Sequence, residues 1–237
     1  MSKAFVAGAT GYTGKQVVSQ LCAAGVETIA HVRPDSPKLD AMRSHFEALG
    51  ARVDTTPWNS SAIQQTIGTL QPHLIFGLLG TTQKRARSAA KKGLPREDES
   101  YATVDCGYTT MLIDAGTQLQ QKPRFIYLSS LGVSSTAVGS YLQARYKTER
   151  HLLESGLPCV IARPCFISGN DRQERRPLER AASTLIDGAL STLSLLGQAR
   201  LRKRYGSIDA TTLARALVRL SLEPEAPNSI IESEFLG

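Results

Sequence analysis

The sequence predicts a doubly wound α/β fold, in which helices cover both faces of a parallel sheet. Three observations support this prediction. A short apolar strand near the N-terminus runs into a glycine-rich turn and then a helix, and further apolar segments follow at the spacing of repeated strand–helix units. The segment 73–79 is apolar throughout. Strands without polar alternation are typical of parallel sheets that are buried on both faces.

Residues 3–14 form the segment on which the rest of the prediction depends. After the first strand, Gly8, Gly11 and Gly14 lie three residues apart. Such a turn lets bare backbone approach a diphosphate, and the helix that follows directs its unpaired N–H groups to the same point. A second strand at 28–32 arrives at the distance that a βαβ unit requires. A glycine-rich turn can also simply join a strand to a helix, but this context favours a dinucleotide site.

The later segments continue the alternation of strand and helix. Helices are expected at 38–49, 61–70, 97–119, around 141–149 and at 207–222, and strands at 51–55, 73–79, 124–128, 159–163 and 230–231. Six strands that end at one edge make a doubly wound sheet. The basic segment 84–95 is expected to be a surface loop. Residues 167–204 depart from the rhythm and are rich in arginine, so we expect a small C-terminal cap on the substrate side of a single domain, 1–237.

Composition limits the classes of function. The net charge of +7 could indicate nucleic acid, but acidic residues interrupt the basic clusters and no aromatic residues interleave with them to stack bases. The four cysteines form no metal or disulfide pattern, and we expect reduced thiols. The sequence has no apolar run of the roughly 20 residues that cross a membrane, and no signal pattern at its start. We therefore expect a cytoplasmic protein that binds neither nucleic acid nor membrane.

The end of the second strand favours one of the two nicotinamide cofactors. Arg33 follows Gly14 by 19 residues, close to the distance of about 20 at which an acid would bind the adenosine ribose and an arginine would accommodate a 2′-phosphate. Asp35, the competing acid, lies beyond Pro34. Arg33 could also be only a solvated strand end, but its position favours NADP over NAD.

Small and polar residues follow the other strands at the carboxyl edge, where open α/β sheets bind ligands. The fourth strand runs to Leu79, and the residues that follow it, Gly80, Thr81 and Thr82, are expected to line the nicotinamide ribose. Ser129 and Ser130 end the fifth strand. Pro164 ends the sixth strand, beside the nicotinamide end.

A candidate catalytic set stands near this edge. Reduction of a carbonyl needs an acid that protonates the developing alkoxide while hydride arrives, and a tyrosine can be that acid when a cation stabilises its phenolate. Tyr141 and Arg145 are four residues apart and share a helix face. Ser130 could orient the substrate oxygen. Alternatively, Tyr141 could be a packed helix residue and Arg145 could pair with Glu149, one turn further on.

Taken together, the motifs resemble the short-chain dehydrogenase/reductase superfamily in its extended or atypical, NmrA-like branch. Within that branch they are most similar to the oxidoreductases typified by the HIV Tat-interacting protein. The motifs are GATGYTG at 8–14, LGTT at 79–82, YxxVD at 101–105, LSSLG at 128–132, YLQ at 141–143, ARP at 162–164 and DRQERRP at 171–177.

The resemblance implies an NADP(H) site and a Ser-Tyr-Lys catalytic set, in which Ser130 and Tyr141 take the first two places and Arg145 takes the place of the lysine. The expected cofactor contacts are Gly8, Thr10, Gly11, Tyr12, Thr13, Gly14, Arg33, Leu79, Gly80, Thr81, Ser129, Tyr141, Arg145 and Pro164, and no metal is expected. Arginine keeps the positive charge of lysine but hardly deprotonates, and its fork has a different shape.

Two functions remain open at this point. The first is an NADP(H)-dependent oxidoreductase that reduces a small carbonyl or quinone-like substrate. The second is an NADP(H)-binding regulatory protein that acts through a protein partner with little turnover.

Overall fold

The structure is a computed structural model that describes residues 2–81, 100–168, 206–223 and 228–237. Strands and helices alternate along the chain. The strands are β1 Lys3–Ala7, β2 Glu27–His31, β3 Arg52–Asp54, β4 Leu74–Gly77, β5 Arg124–Leu128, β6 Cys159–Arg163, β7 Phe166–Ser168, β8 Ser207–Asp209 and β9 Ser229–Glu232. The helices are α1 Tyr12–Ala23, α2 Leu39–Ala48, α3 Ser60–Leu70, α4 Tyr108–Thr117, α5 Ser140–Glu154 and α6 Ala210–Leu222, with a π-helical segment at Tyr101–Gly107 and a 3₁₀ turn at Ser233–Phe235.

Within these described ranges, seven strands form one parallel sheet in the order β3-β2-β1-β4-β5-β6-β9. The predicted doubly wound α/β class is therefore confirmed. The chain runs outward in one direction from β1 to β3 and in the other from β4, so a crevice lies between the carboxyl ends of β1 and β4, where open sheets bind ligands. The predicted strand at 230–231 is part of β9, which adds a seventh member beside β6.

The central strand β1 shows why these strands lack polar residues. Ala4 and Val6 belong to the core on one side of the sheet, and Phe5 and Ala7 belong to the core on the other. All four side chains are fully buried. Because successive side chains point to opposite faces, a strand that is covered on both faces has no position left for a polar residue.

Helices supply the cover on each face. The core that contains Ala4 and Val6 includes residues of α1 and α6, such as Leu21 and Leu217. The core on the other side of the sheet includes residues of α3, α4 and α5, such as Ile63, Leu112 and Leu152. In the described part of the chain, no helix is long and apolar enough to span a membrane.

The predicted helix at 97–119 differs from the observed one. From residue 100 onward the chain first forms the π-helical segment and only then α4, which ends at Thr117. Residues 97–99, the predicted loop at 84–95 and nearly all of the predicted cap at 167–204 lie outside the described residues, as does the DRQERRP motif. The cap and the single-domain organisation stay predictions.

Candidate functional site

The glycines of the first turn bring three pieces of backbone together. Gly8 has a φ of +82°, and a Cβ at this position would lie 2.5 Å from the carbonyl oxygen of Leu78 at the end of β4. A Cβ at Gly14 would lie 2.1 Å from the carbonyl oxygen of Gly8. Only residues without side chains let the turn, the start of α1 and the end of β4 pack this closely.

The N-terminus of α1 is open at this turn. Gly11 is the N-cap, no side chain caps the helix, and its first turn has no acidic residue. The first N–H groups of a helix lack intrahelical partners and carry the positive end of the helix dipole. The predicted contacts Thr10, Tyr12 and Thr13 stand within or beside this first turn. This cradle of backbone and amides fits a dinucleotide diphosphate.

The residues predicted at the carboxyl edge lie directly after β4, β5 and β6. Leu79 and Thr81 are buried, whereas Gly80 between them is exposed. Ser129 is buried and donates a hydrogen bond from its hydroxyl to Glu149 at 2.5 Å. The half-buried Ser130 contacts the carbonyl oxygen of Leu131 at 3.3 Å.

The ends of β5 and β6 are tied by main-chain hydrogen bonds. The amide of Ser129 donates to Ala162 at 2.8 Å, and the amide of Leu131 donates to Pro164 at 2.9 Å. Pro164, predicted to contact the cofactor, therefore also accepts a bond that orders the segment after β5.

Arg33 lies two residues beyond β2, on the surface. Its Nε is 3.5 Å from Oδ1 of Asp35, and the side chains are 40% and 69% exposed. The acid that competes with Arg33 for the ribose is thus its ion-pair partner. An exposed ion pair is weak and exchanges readily for a more highly charged anion.

Tyr141 and Arg145 lie together on α5, as their spacing predicts. The guanidinium carbon of Arg145 is 5.3 Å from the centre of the Tyr141 ring and 5.5 Å from that of Tyr127. The ring of Tyr141 also meets that of Tyr101 edge to face at 5.3 Å. A cation over an aromatic face is stabilised by the ring quadrupole.

The partners of Arg145 differ from the alternative that its helix spacing suggests. Its Nη2 donates to Oδ1 of Asp105 at 2.7 Å, and both side chains are almost fully buried. Glu149 instead accepts hydrogen bonds from Arg163, at 3.0 Å and 2.5 Å, and Arg163 extends to Glu232 at 3.1 Å. The pairing of Arg145 with Glu149 is therefore wrong. The assignments of Ser130, Tyr141 and Arg145 as a catalytic set, and of the individual cofactor contacts, stay predictions.

Charge around Arg145 keeps it cationic. Burial alone would lower the pKa of the Arg145 guanidinium, but Tyr127, Tyr141 and Asp105 hold that pKa above its ordinary value. Burial raises the pKa of the Asp105 carboxyl, and Arg145 and the Thr81 amide oppose the rise. An arginine in this environment cannot release a proton in a catalytic cycle.

A buried histidine marks the end of β2. The Nε2 of His31 lies 2.8 Å from the carbonyl oxygen of Thr56, so the neutral ring donates from this atom. The His31 ring packs edge to face on Trp58 at 4.6 Å. Burial lowers the pKa of His31, the hydrogen bond to Thr56 and the charge of Asp54 raise it, and the charge of Arg33 adds to the lowering.

Two charged residues that the sequence reasoning did not select are central to this edge. Asp105 appears in the sequence only as the last letter of the YxxVD motif, and Glu149 only as a possible partner of Arg145. A signal was available for Asp105, which stands between Val104 and Cys106 on a predicted helix, because a carboxylate among apolar residues needs a buried partner. Glu149 stands among polar residues in the sequence and gave no such signal. Among the described residues, no three or more His, Cys, Asp or Glu side chains are placed to hold a metal ion.

Comparison with known proteins agrees with this geometry. A family described as NAD(P)H-binding matches residues 8–194. The chain is 28% identical over 229 residues to a curated protein of Aspergillus terreus named "Protein fmp52-1, mitochondrial", with 94% of this chain and 88% of that protein covered.

Two solved structures show the same fold. One is the UDP-glucose 4-epimerase of Brucella ovis in complex with NAD, with a TM-score of 0.67, 17% identity and coverage of 98% of this chain and 77% of the other. The other is WbmH of Bordetella bronchiseptica in complex with NAD+, with a TM-score of 0.62, 16% identity and coverage of 92% and 71%.

Proposed function

The chain belongs to the NAD(P)H-binding family, and from this premise we propose that it is an NADP(H)-dependent oxidoreductase of the atypical short-chain dehydrogenase type. The family match and the shared fold confirm the NAD(P)-binding Rossmann-type domain that the motifs predict. The closer resemblance to the Tat-interacting type stays a prediction. The proposed reaction is hydride transfer to a small carbonyl or quinone-like substrate.

The contact between Tyr141 and Arg145 is the observation that carries the proposal. It places a phenol beside a permanent cation on the helix that follows β5, and Ser130 stands at the end of that strand. When bound, the nicotinamide supplies or accepts the hydride. In the direction of reduction, Ser130 orients the substrate oxygen with a hydrogen bond and Tyr141 protonates it. Arg145 stabilises the phenolate that remains.

The preference for NADP(H) over NAD(H) rests on Arg33. A 2′-phosphate carries more negative charge than the Asp35 carboxylate that Arg33 contacts, and an arginine fork binds phosphate with two parallel hydrogen bonds. The exposure of both side chains leaves room for this exchange. We expect Asp35 to turn to solvent when the phosphate binds.

A screen of NADPH oxidation over aldehydes, ketones and quinones tests the reaction. We expect turnover with at least one class, and we expect Tyr141→Phe and Ser130→Ala to lower kcat by about 10²-fold or more, the scale of general-acid and oxygen-stabilising groups. Tyr146→Phe, on the same helix, is the matched control and should leave kcat unchanged. Full activity of the Tyr141→Phe variant would contradict the proposed acid.

A second candidate function is a regulatory protein that binds NADP(H) and signals through a protein partner. The hydrogen bonds of Arg145 favour it, because its guanidinium donates to protein acceptors and cannot relay protons. Tight binding of NADPH in calorimetry, with no turnover in the screen, would support this candidate and exclude the enzyme.

A cytoplasmic location is also part of the proposal. The four cysteines, all within the described residues, form no disulfide bond with one another, as is typical of proteins from reducing compartments; they are Cys22, Cys106, Cys159 and Cys165. The related Aspergillus protein is mitochondrial by its name. Imaging of a fluorescent fusion of the full chain, with the tag at the C-terminus, distinguishes the two locations.

A further inference from the structure

The hydrogen bonds of Arg145 tie together the ends of two strands. Its Nη1 donates to the carbonyl oxygen of Leu128 at 2.6 Å and to the hydroxyl of Tyr127 at 3.2 Å. Its Nη2 donates to the carbonyl oxygen of Leu79 at 3.0 Å and to Oδ1 of Asp105 at 2.7 Å. Four acceptors match the four hydrogens that two Nη atoms carry. One planar fork thus joins the carboxyl ends of β4 and β5.

The carboxylate of Asp105 completes the connection to the segment after β4. This side chain is fully buried, and its second oxygen, Oδ2, accepts a hydrogen bond from the amide of Thr81 at 2.9 Å. Arg145 and Asp105 therefore hold the carbonyl of Leu79 and the amide of Thr81, on either side of Gly80. A Cβ at Gly80 would lie 3.2 Å from Nη2 of Arg145, so the glycine also leaves room for the guanidinium.

Asp105 is itself fixed by the elements that flank it. It lies in the π-helical segment, and its carbonyl oxygen accepts from the hydroxyl of Thr109 at 2.9 Å and contacts that of Thr148 at 3.5 Å. Thr109 belongs to α4 and Thr148 to α5. Single π-helical turns within helices are frequent at functional sites. Here such a turn directs a carboxylate at a strand end.

The Nη atoms of Arg145 have no hydrogen left for the crevice, because all four Nη hydrogens have protein acceptors. The fifth N–H, at Nε, is buried and has no hydrogen-bond partner among the described residues. A lysine could not replace this arrangement, because its single nitrogen cannot reach the ends of both strands and the carboxylate in a fixed plane.

We propose that Arg145 and Asp105 are positioning residues, which hold residues 79–81 in place like a clamp so that this segment can receive the nicotinamide end of the dinucleotide. In this role Arg145 does not bind the ribose, as the lysine of the family set would. The inference rests on the proposed function for the identity of the ligand. An unusual consequence is that Arg145→Lys, which introduces the lysine of the family set, weakens the binding of NADPH.

The test compares Arg145→Lys, Asp105→Asn and their double variant with Arg150→Lys. Arg150 is the matched control, because it lies on the same helix and forms an exposed ion pair with Glu154. Calorimetry measures the Kd for NADPH, and hydrogen exchange followed by NMR measures protection of the Thr81 amide against that of Ile75 in the middle of β4. The Ile75 amide reports on the whole sheet and not on the clamp.

We expect Arg145→Lys and Asp105→Asn each to weaken NADPH binding by about tenfold or more, a ratio that corresponds to roughly 1.4 kcal/mol. The Thr81 amide should exchange faster in both, relative to the Ile75 amide. The double variant should lose little more than either single variant, because the two residues act through one connection. Arg150→Lys should match the wild type in both measurements.

The clamp is overturned if Arg145→Lys keeps the protection of Thr81 and binds NADPH within about twofold of the wild type, or if it raises turnover. If Asp105→Asn does not fold, Arg145→Lys decides the question alone, because it keeps a cation beside the carboxylate. If the wild type binds no pyridine nucleotide, the proposed function fails, while the exchange of Thr81 still tests the clamp.

Discussion

Replacement of Gly14 by alanine is the most direct test of the cradle at the first turn. A Cβ at this position would lie 2.1 Å from the carbonyl oxygen of Gly8, and 2.9 Å from both the Cα and the carbonyl oxygen of Ala9. All three contacts are with backbone, so no side chain can rotate to relieve them. The start of α1 must move away from the turn by about 1 Å to restore an ordinary contact.

The cost of this movement can be compared with the gain in helix propensity. Overpacking of a close contact costs roughly 1–3 kcal/mol or more, whereas alanine in place of glycine gains up to about 1 kcal/mol inside a helix. The contacts at Gly14 are with backbone and lie far below an ordinary separation, so the upper end of the overpacking range applies and we expect Gly14→Ala to lower the free energy of unfolding by about 2–3 kcal/mol. For a chain of this size the corresponding fall in Tm is about 4–12 °C.

Gly68 provides a control with the opposite sign. It also lies in a helix, α3, but nothing stands within 4 Å of a Cβ built there. Gly68→Ala should therefore gain stability from propensity alone, about 0.5–1 kcal/mol. Because the two substitutions are chemically identical, the difference between them measures the close approach at Gly14.

Thermal unfolding and calorimetric titration with NADPH measure the two effects. We expect Gly14→Ala to weaken NADPH binding by about tenfold or more, because the amides of the helix start no longer converge on one anion. Gly68→Ala should bind as the wild type does. A Gly14→Ala variant with unchanged Tm and unchanged affinity would refute the argument that this glycine shapes the site.

Three further predictions concern charged and titratable groups. Arg33→Ala should weaken NADPH binding by roughly 1.5–3 kcal/mol, the value of a hydrogen bond to a charged group, and leave NADH binding unchanged. Equal losses of affinity for both cofactors in calorimetry would show that Arg33 does not bind the 2′-phosphate. Burial lowers the pKa of His31, so the contribution of its neutral ring to stability is fully present above about pH 6.5 and is lost as the pH falls below that value, by at most about 1.4 kcal/mol per pH unit. Denaturant unfolding between pH 7.5 and 5.5 should therefore show a smaller fall in the free energy of unfolding for His31→Gln than for the wild type, and identical slopes would contradict this sign. Glu149→Gln should lower the free energy of unfolding by about 1.5–3 kcal/mol, because it weakens the charged hydrogen bonds from Arg163, which then keeps its ion pair with Glu232. Glu154→Gln, in an exposed pair, should change the free energy of unfolding little; similar effects of the two substitutions in urea unfolding would show that the Glu149 site is solvated.

Local patterns in the sequence predicted most of the fold. Apolar strands, the spacing of Gly8, Gly11 and Gly14, and helical periodicity follow from rules that act over a few residues. For the same reason Tyr141 and Arg145 could be placed on one helix face before the structure was known. The π-helical segment escaped prediction, because the apolar positions of residues 101–107 recur at the intervals of an ordinary α-helix.

The partners of the charged residues could not be predicted in this way. Arg145 has a carboxylate one turn away on its own helix, and local spacing favours that pair. In the structure its partner is Asp105, 40 residues earlier in the chain, and Glu149 pairs with Arg163. Which carboxylate each arginine meets depends on the order of the strands, which brings β4, β5 and β6 side by side.

By itself, the sequence of this protein determined which residues stand at the end of each strand, because the apolar segments mark the strands. It also determined that the first turn can receive a diphosphate, because this depends on short-range sterics at three glycines. Only the tertiary structure decided which of the buried charges neutralise one another. A buried charge must find its counter-charge wherever the fold brings one near, and for Arg145 that requirement joins two strand ends in a place where the sequence alone suggested a cation facing the cofactor.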